Sequence, residues 1–302
     1  MSVKSYRRPQ RFRGWSKEFG DLINGVSGGF LFGIPLLYTM EVWFIGSHVQ
    51  PSVLIYILIT TYIVIFLLNR AEGFRRKGSY RVVEAAAESV EALAIGTFCA
   101  ALMLVVLQRI TWETSLNEGL GKIIFEGVPF SLGVALSRSI LSGERELSTA
   151  SKSSKEKSVQ QKRKTPTKTM WKHTLADLSA TLIGAVFIAF AIAPTDEVPM
   201  LAAAASPFWI LAIMATSLLV SYTIVFAAGF TNQKKRHQQQ GFFQRPSGET
   251  VFSYLVSLLA SVLMLWFFQQ LSWEDPWDLW LSYTVILGLP STIGGAAGRI
   301  AV

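Results

Sequence analysis

Eight stretches of this 302-residue chain are predominantly apolar over about twenty residues, long enough for each to cross a bilayer core of roughly 30 Å as a helix. In hydrocarbon every backbone polar group must be satisfied within the protein, so such stretches fold as helices rather than as open strands. The expected spans are 20–45, 51–69, 83–107, 120–141, 175–194, 204–230, 249–270 and 279–300. Composition agrees, since 51% of residues are hydrophobic and 16% are charged, too apolar a balance for one aqueous core. The expected fold class is an all-α polytopic membrane protein with eight transmembrane helices.

Charge orients the chain. Of its 28 Lys and Arg, six lie in residues 1–18, five in 69–81, nine in 143–172 and four in 232–245. These are the N-terminal tail and every second loop, which the positive-inside rule assigns to the cytoplasm together with both termini. The opposite loops carry Glu113, Glu118, Asp196, Glu197, Glu274, Asp275 and Asp278, with only Arg109 and Lys122 as cations. Trp43, Trp112, Trp273, Trp277 and Trp280 fall at the outer boundary and Trp15 and Trp171 at the inner one, the pattern of an aromatic belt. The first eighteen residues lack a signal-peptide cleavage pattern, so insertion by the chain's own spans is expected.

The chain also repeats itself. Pro129-Phe-Ser131-Leu-Gly133-Val-Ala135-Leu-Ser-Arg138 recurs 161 residues later as Pro290-Ser-Thr292-Ile-Gly294-Gly-Ala296-Ala-Gly-Arg299. The same offset matches Glu88 to Glu249 and Gln108, Trp112 and Glu113 to Gln269, Trp273 and Glu274. An offset of 156 matches Trp15, Asp21, Gly28, Thr39, Glu41 and Val42 to Trp171, Asp177, Gly184, Thr195, Glu197 and Val198. The unit is therefore four spans used twice, and an even number of spans gives both units one orientation. The expectation is two parallel repeats about a pseudo-two-fold axis along the membrane normal. The organisation that follows is a basic cytoplasmic tail (1–19), a first repeat (20–142), a flexible basic linker (143–170) and a second repeat (171–302). The linker is rich in Ser, Lys, Thr and Gln, and such a composition buries too little surface to offset its ordering entropy.

Two kinds of residue could carry chemistry. Pro129 and Pro290 each remove a backbone donor near mid-membrane, freeing a carbonyl one turn earlier. With Ser131, Ser291, Thr292, Gly133 and Gly294 beside them, they form a break at which oxygens could replace an ion's water, or else a kinked helix packed through small residues. Intramembrane acids are the second kind. Glu84, Glu88 and Glu91 share one helix face, with Glu91 about 10 Å inside the span at 1.5 Å per residue, and Glu126 stands three residues before Pro129. Asp21, Asp177, Glu88, Arg138 and Arg299 are candidate inner gate or ion-pair residues, and Glu41 and Glu197 border an outer mouth that would attract cations rather than anions.

Cys99 is the single cysteine, so no intrachain disulfide is available, and it reads as a small buried hydrophobe. His48, His173 and His237 share no metal-ligand spacing, and no nucleotide-binding, zinc-protease or redox pattern occurs. No cofactor, enzymatic activity or nucleic-acid partner is expected. The overall pattern, above all the tandem Pro-x-[Ser/Thr]-x-Gly-x-Ala-x-x-Arg ending, resembles bacterial inner-membrane families known only as integral membrane proteins. That resemblance covers the whole length and implies residence in the bacterial plasma membrane, without an activity. The functional expectation is a channel or secondary transporter for a small cation, with its path between the repeats beside the fourth and eighth helices. The alternative is a non-transporting sensor, scaffold or assembly factor acting through its linker. The bilayer is the expected partner, with homo-oligomerisation possible.

Overall fold

A computed structural model describes residues 10–73, 82–155, 166–227 and 246–301, with side chains described over 18–71, 82–137, 177–226 and 246–301. Among the described residues all regular structure is helical. The first half holds α1 (Gln10–Leu37), α2 (Met40–His48), α3 (Pro51–Gly73), α4 (Val82–Val106) and α5 (Leu116–Lys155). The second holds α6 (Pro166–Ile192), α7 (Glu197–Ala204), α8 (Pro207–Tyr222) continued by a π-helical turn (Thr223–Ala227), α9 (Pro246–Phe267) and α10 (Trp277–Ala301). Seven of these helices are long and apolar enough to cross a membrane, and an eighth span exists if α6 and α7, bent by 88°, count as one.

Local chemistry sets the boundaries. Proline opens α3, α6, α8 and α9, where its missing N–H is one the helix would leave unsatisfied anyway. Helices α4 and α9 end in the same way. The Arg109 N–H reaches back to Leu104 O and Gln108 N–H to Val105 O, while Gln270 N–H reaches Leu265 O and Gln269 N–H reaches Trp266 O. These are two Schellman ends. Each holds a glutamine in the left-handed region, Gln108 at φ 55° and Gln269 at φ 60°, where glycine is usual.

Several expected boundaries move. The first expected span, 20–45, is not one helix: it stops at Leu37 and restarts as α2, because Pro35 lies in its last turn and the Thr39 hydroxyl caps Leu36 O at 2.9 Å. The fifth stops at Ile192, and Pro194 helps turn the chain into α7, with Thr195 donating to Ile192 O at 2.6 Å. The fourth is embedded in the longer α5, which runs on to Lys155, and α6 begins at Pro166. The described parts of the expected flexible linker are therefore helical. After Gly143 that segment has no proline before position 166 and carries Glu, Leu, Ala and Lys, which sustain a helix. Residues 156–165 of that linker, and 1–9 of the expected tail, lie outside the described residues.

Helix α5 is the centre of the first half, packed on by α1, α2, α3 and α4, and α10 is the centre of the second, packed on by α6, α7, α8 and α9. Close approach is through glycine. A Cβ on Gly133 would run into Gly28 O, and one on Gly294 into Gly184 O, so α1 meets α5, and α6 meets α10, backbone to backbone. This is how small residues bring membrane helices together. Across the halves, Phe30, Ile34, Leu37, Val225, Phe226, Ile286, Leu287 and Ile293 belong to a single apolar cluster.

Candidate functional site

The proline segments lie at the centre of the molecule. Every residue of α10 from Thr284 to Ala296 is buried, and Pro129 is half-buried in α5. Neither proline breaks its helix. The carbonyl that Pro290 leaves without an intrahelical donor is that of Ile286, and the Tyr38 hydroxyl of the first half donates to it at 2.7 Å. The hydroxyls are also occupied: Ser291 donates to Leu287 O at 2.7 Å, Thr292 to Gly288 O at 2.6 Å and Ser131 to Leu93 O at 3.3 Å. Ser131 packs against Gly96, and Gly133 and Gly294 serve the helix crossings. In α10 and its surroundings the motif thus works as a packed, satisfied crossing.

The expected acids separate. Helix α4 turns Ala85, Ser89, Ala92 and Gly96 inward. Glu84 and Glu91 are displaced from that face and are exposed, while Glu88 is half-buried. The expected convergence of Glu91 on an interior path is therefore corrected, because its helix face points out of the bundle. Asp21 and Asp177 are half-buried, Glu41 is exposed, and the Arg138 side chain lies outside the described residues. Glu197 is buried and accepts the Met40 N–H of the first half at 3.2 Å. Arg299, 1% exposed, pairs with Glu249, donates to Ser253 Oγ at 2.9 Å and lies 5.7 Å from the centre of the Phe226 ring on the π-helical turn.

Glu126 is the interior acid. It stands ten residues into the part of α5 that is long and apolar enough to cross a membrane, Leu116–Ser137, about 15 Å along it at 1.5 Å per residue. It is 1% exposed, and its Oε1 has no hydrogen-bond partner among the described residues. The Trp43 indole of α2 acts on it as a neighbouring donor, yet Trp43 Nε1 closes no hydrogen bond of good geometry either. Above this pair the Arg109 guanidinium lies 5.2 Å from the centre of the Trp43 ring, and burial lowers its pKa from the ordinary value. Lys122, one turn from Glu126, donates to Arg109 O at 2.9 Å and pairs with Glu118. Lys122 does not pair with Glu126, since its ammonium is committed to Glu118 and Arg109 O.

Residues 21–302 match the family described as "Putative integral membrane protein (DUF2391)". The chain belongs to that family. No curated protein and no solved structure matches it. The family description names residence in a membrane, in keeping with the apolar helices, and names no activity.

For this family member, sequence reasoning overlooked three sets of residues. Trp43 is 3% exposed, so it is a core residue rather than part of the interfacial belt, unlike the exposed Trp112, Trp273 and Trp277. Glu249, Ser253, Ser257 and Ser261 line one face of α9, with Ser261 donating to Ser291 Oγ at 2.9 Å. Their spacing of four was legible, but it was masked by alignment with the apolar Ala92 and Ala100 of the first half. The Gln108 carboxamide, oriented to satisfy both neighbours, donates to Ala204 O and accepts from the Trp209 indole; its match to Gln269 was legible, its role was not.

Proposed function

We propose that this protein is a channel or secondary transporter for a small cation, and that Glu126 is the intramembrane acid on which the cation rests. The observation that carries this is a carboxyl buried midway along a candidate span, with an oxygen that no hydrogen bond among the described residues reaches. An acid at that depth is expensive to keep and belongs by default with ion or proton pathways. The seam between the halves is filled by the apolar cluster and by Tyr38 on Ile286 O, so the path favoured is within the first half, through Glu126, rather than along the seam. We read the halves as tandem copies about an axis along the membrane normal. The shared order of long and short helices, the left-handed Gln108 and Gln269, and the Gly28–Gly133 and Gly184–Gly294 crossings support that reading. The basic segments support cytoplasmic termini in a bacterial plasma membrane, and no enzymatic step is invoked.

The apolar seam favours one rival, a non-transporting sensor, scaffold or assembly factor acting through residues 143–170. Reconstitution separates the two. Purified protein in vesicles is assayed for flux of Na⁺, K⁺, Ca²⁺, Mg²⁺ and H⁺. One cation should cross, and Glu126→Gln should abolish its passage at unchanged yield of folded protein, with Glu126→Asp retaining part of it. Folded wild-type protein that passes none of the five would leave the scaffold.

A further inference from the structure

We infer that the cation Glu126 takes up is a proton rather than a metal ion, an assignment that rests on the function proposed above. A metal ion in an interior site needs several oxygen ligands. Among the described residues no three His, Cys, Asp or Glu side chains cluster to hold one, and the neighbour presented to Glu126 is a donor, the Trp43 N–H. Beyond the indole stands the Arg109 guanidinium, so a metal ion would also meet a fixed positive charge. A proton needs one oxygen and no further ligand. It also removes the cost of an ionised carboxylate in an apolar interior, which is larger than any neutral group incurs.

Among the described side chains, the other ionisable groups on the elements packed against α5 are engaged or placed elsewhere. On α1, Tyr38 donates to Ile286 O, and Glu18 and Asp21 belong to the opposite end of the span. On α2, Glu41 and His48 are exposed. On α3, Tyr56 is exposed, Tyr62 stacks on Phe66, and Arg70 lies in the last turn. On α4, Cys99 is buried in the apolar cluster, and Glu84, Glu88 and Glu91 lie in the first ten residues of the helix, far along it from the Thr97 that packs on Gly127. Trp43 is therefore the polar group that can answer a change of charge on Glu126. When a hydronium gives its proton to the carboxylate it becomes water and leaves a neutral carboxyl, a weaker acceptor for the indole N–H. When the proton departs, the carboxylate becomes the stronger, charged acceptor that the N–H can meet.

Infrared difference spectroscopy on the full chain in vesicles tests this beside the flux panel. The wild type should show the C=O stretch of a protonated carboxylic acid at neutral pH, shifted in D₂O. That band should be absent in Glu126→Gln and present in Glu126→Asp, and Trp43→Phe should change the pH at which it disappears. A wild-type spectrum without the band, in which Na⁺, K⁺, Ca²⁺ or Mg²⁺ perturbs carboxylate stretches that Glu126→Gln lacks, overturns the proton assignment while leaving transport standing. A band that behaves as expected in vesicles passing no cation sustains the proton site and removes the transport function.

Discussion

Replacing Tyr38 with Phe deletes one oxygen and leaves the ring in the apolar cluster, so its cost isolates the contact between the Tyr38 hydroxyl and Ile286 O, 2.7 Å in length. In most helices the loss would be partial, because a carbonyl keeps its intrahelical donor. At Ile286 that donor is missing, since the residue one turn on is Pro290. Leaving a buried acceptor unpaired costs about 1–3 kcal/mol in soluble proteins, whereas interhelical hydrogen bonds in membranes average about 0.6 and reach about 1.7 kcal/mol. An orphaned carbonyl should fall near the upper membrane value, so Tyr38→Phe is expected to cost about 1–1.5 kcal/mol, roughly a tenfold shift in the folding equilibrium. In a Pro290→Ala background the helix supplies its own N–H to Ile286, and the same change should cost only a few tenths. A double-mutant cycle, read by reversible unfolding in mixed micelles, should therefore show a coupling of about 1 kcal/mol between residues 38 and 290. Equal costs of Tyr38→Phe in both backgrounds would refute the assignment of this hydroxyl to the proline's vacant carbonyl.

Further substitutions probe the crossings and the inner ion pair by the same unfolding measurement. Gly133→Val and Gly294→Val should each cost at least the about 1–3 kcal/mol of an overpacked core, because the added carbons meet backbone atoms of Gly28 and Gly184. Gly20→Ala, with no atom of the described residues within 4 Å of its new Cβ, should instead be neutral or stabilising. Arg299→Met should approach the about 3–5 kcal/mol of a broken buried pair, reduced by the partial exposure of Glu249. Adding Glu249→Leu should recover much of that loss, and a double variant no more stable than Arg299→Met would show that the pair is not what the single change disrupts.

The sequence by itself determined that this chain crosses a membrane several times as helices, because runs of about twenty apolar residues leave the backbone no other way to satisfy itself in lipid. It also marked which residues recur, and the recurring glycines turned out to be those at which α1 meets α5 and α6 meets α10. Which acids face inward was not legible. Glu91 and Glu126 both read as intramembrane carboxylates, and only the packing of α4 through Ala85, Ser89, Ala92 and Gly96 turns Glu91 outward, while α1, α2, α3 and α4 pack on α5 and Glu126 is buried. An apolar run tolerates either rotation, since lipid and protein interior are alike in polarity, so periodicity loses the signal that distinguishes inside from outside in a soluble helix. The fate of the proline carbonyl was undecided for a related reason. The sequence shows that Pro290 frees Ile286 O, but a tyrosine 248 residues away answers it, and a partner that distant in the chain is set by tertiary contact alone.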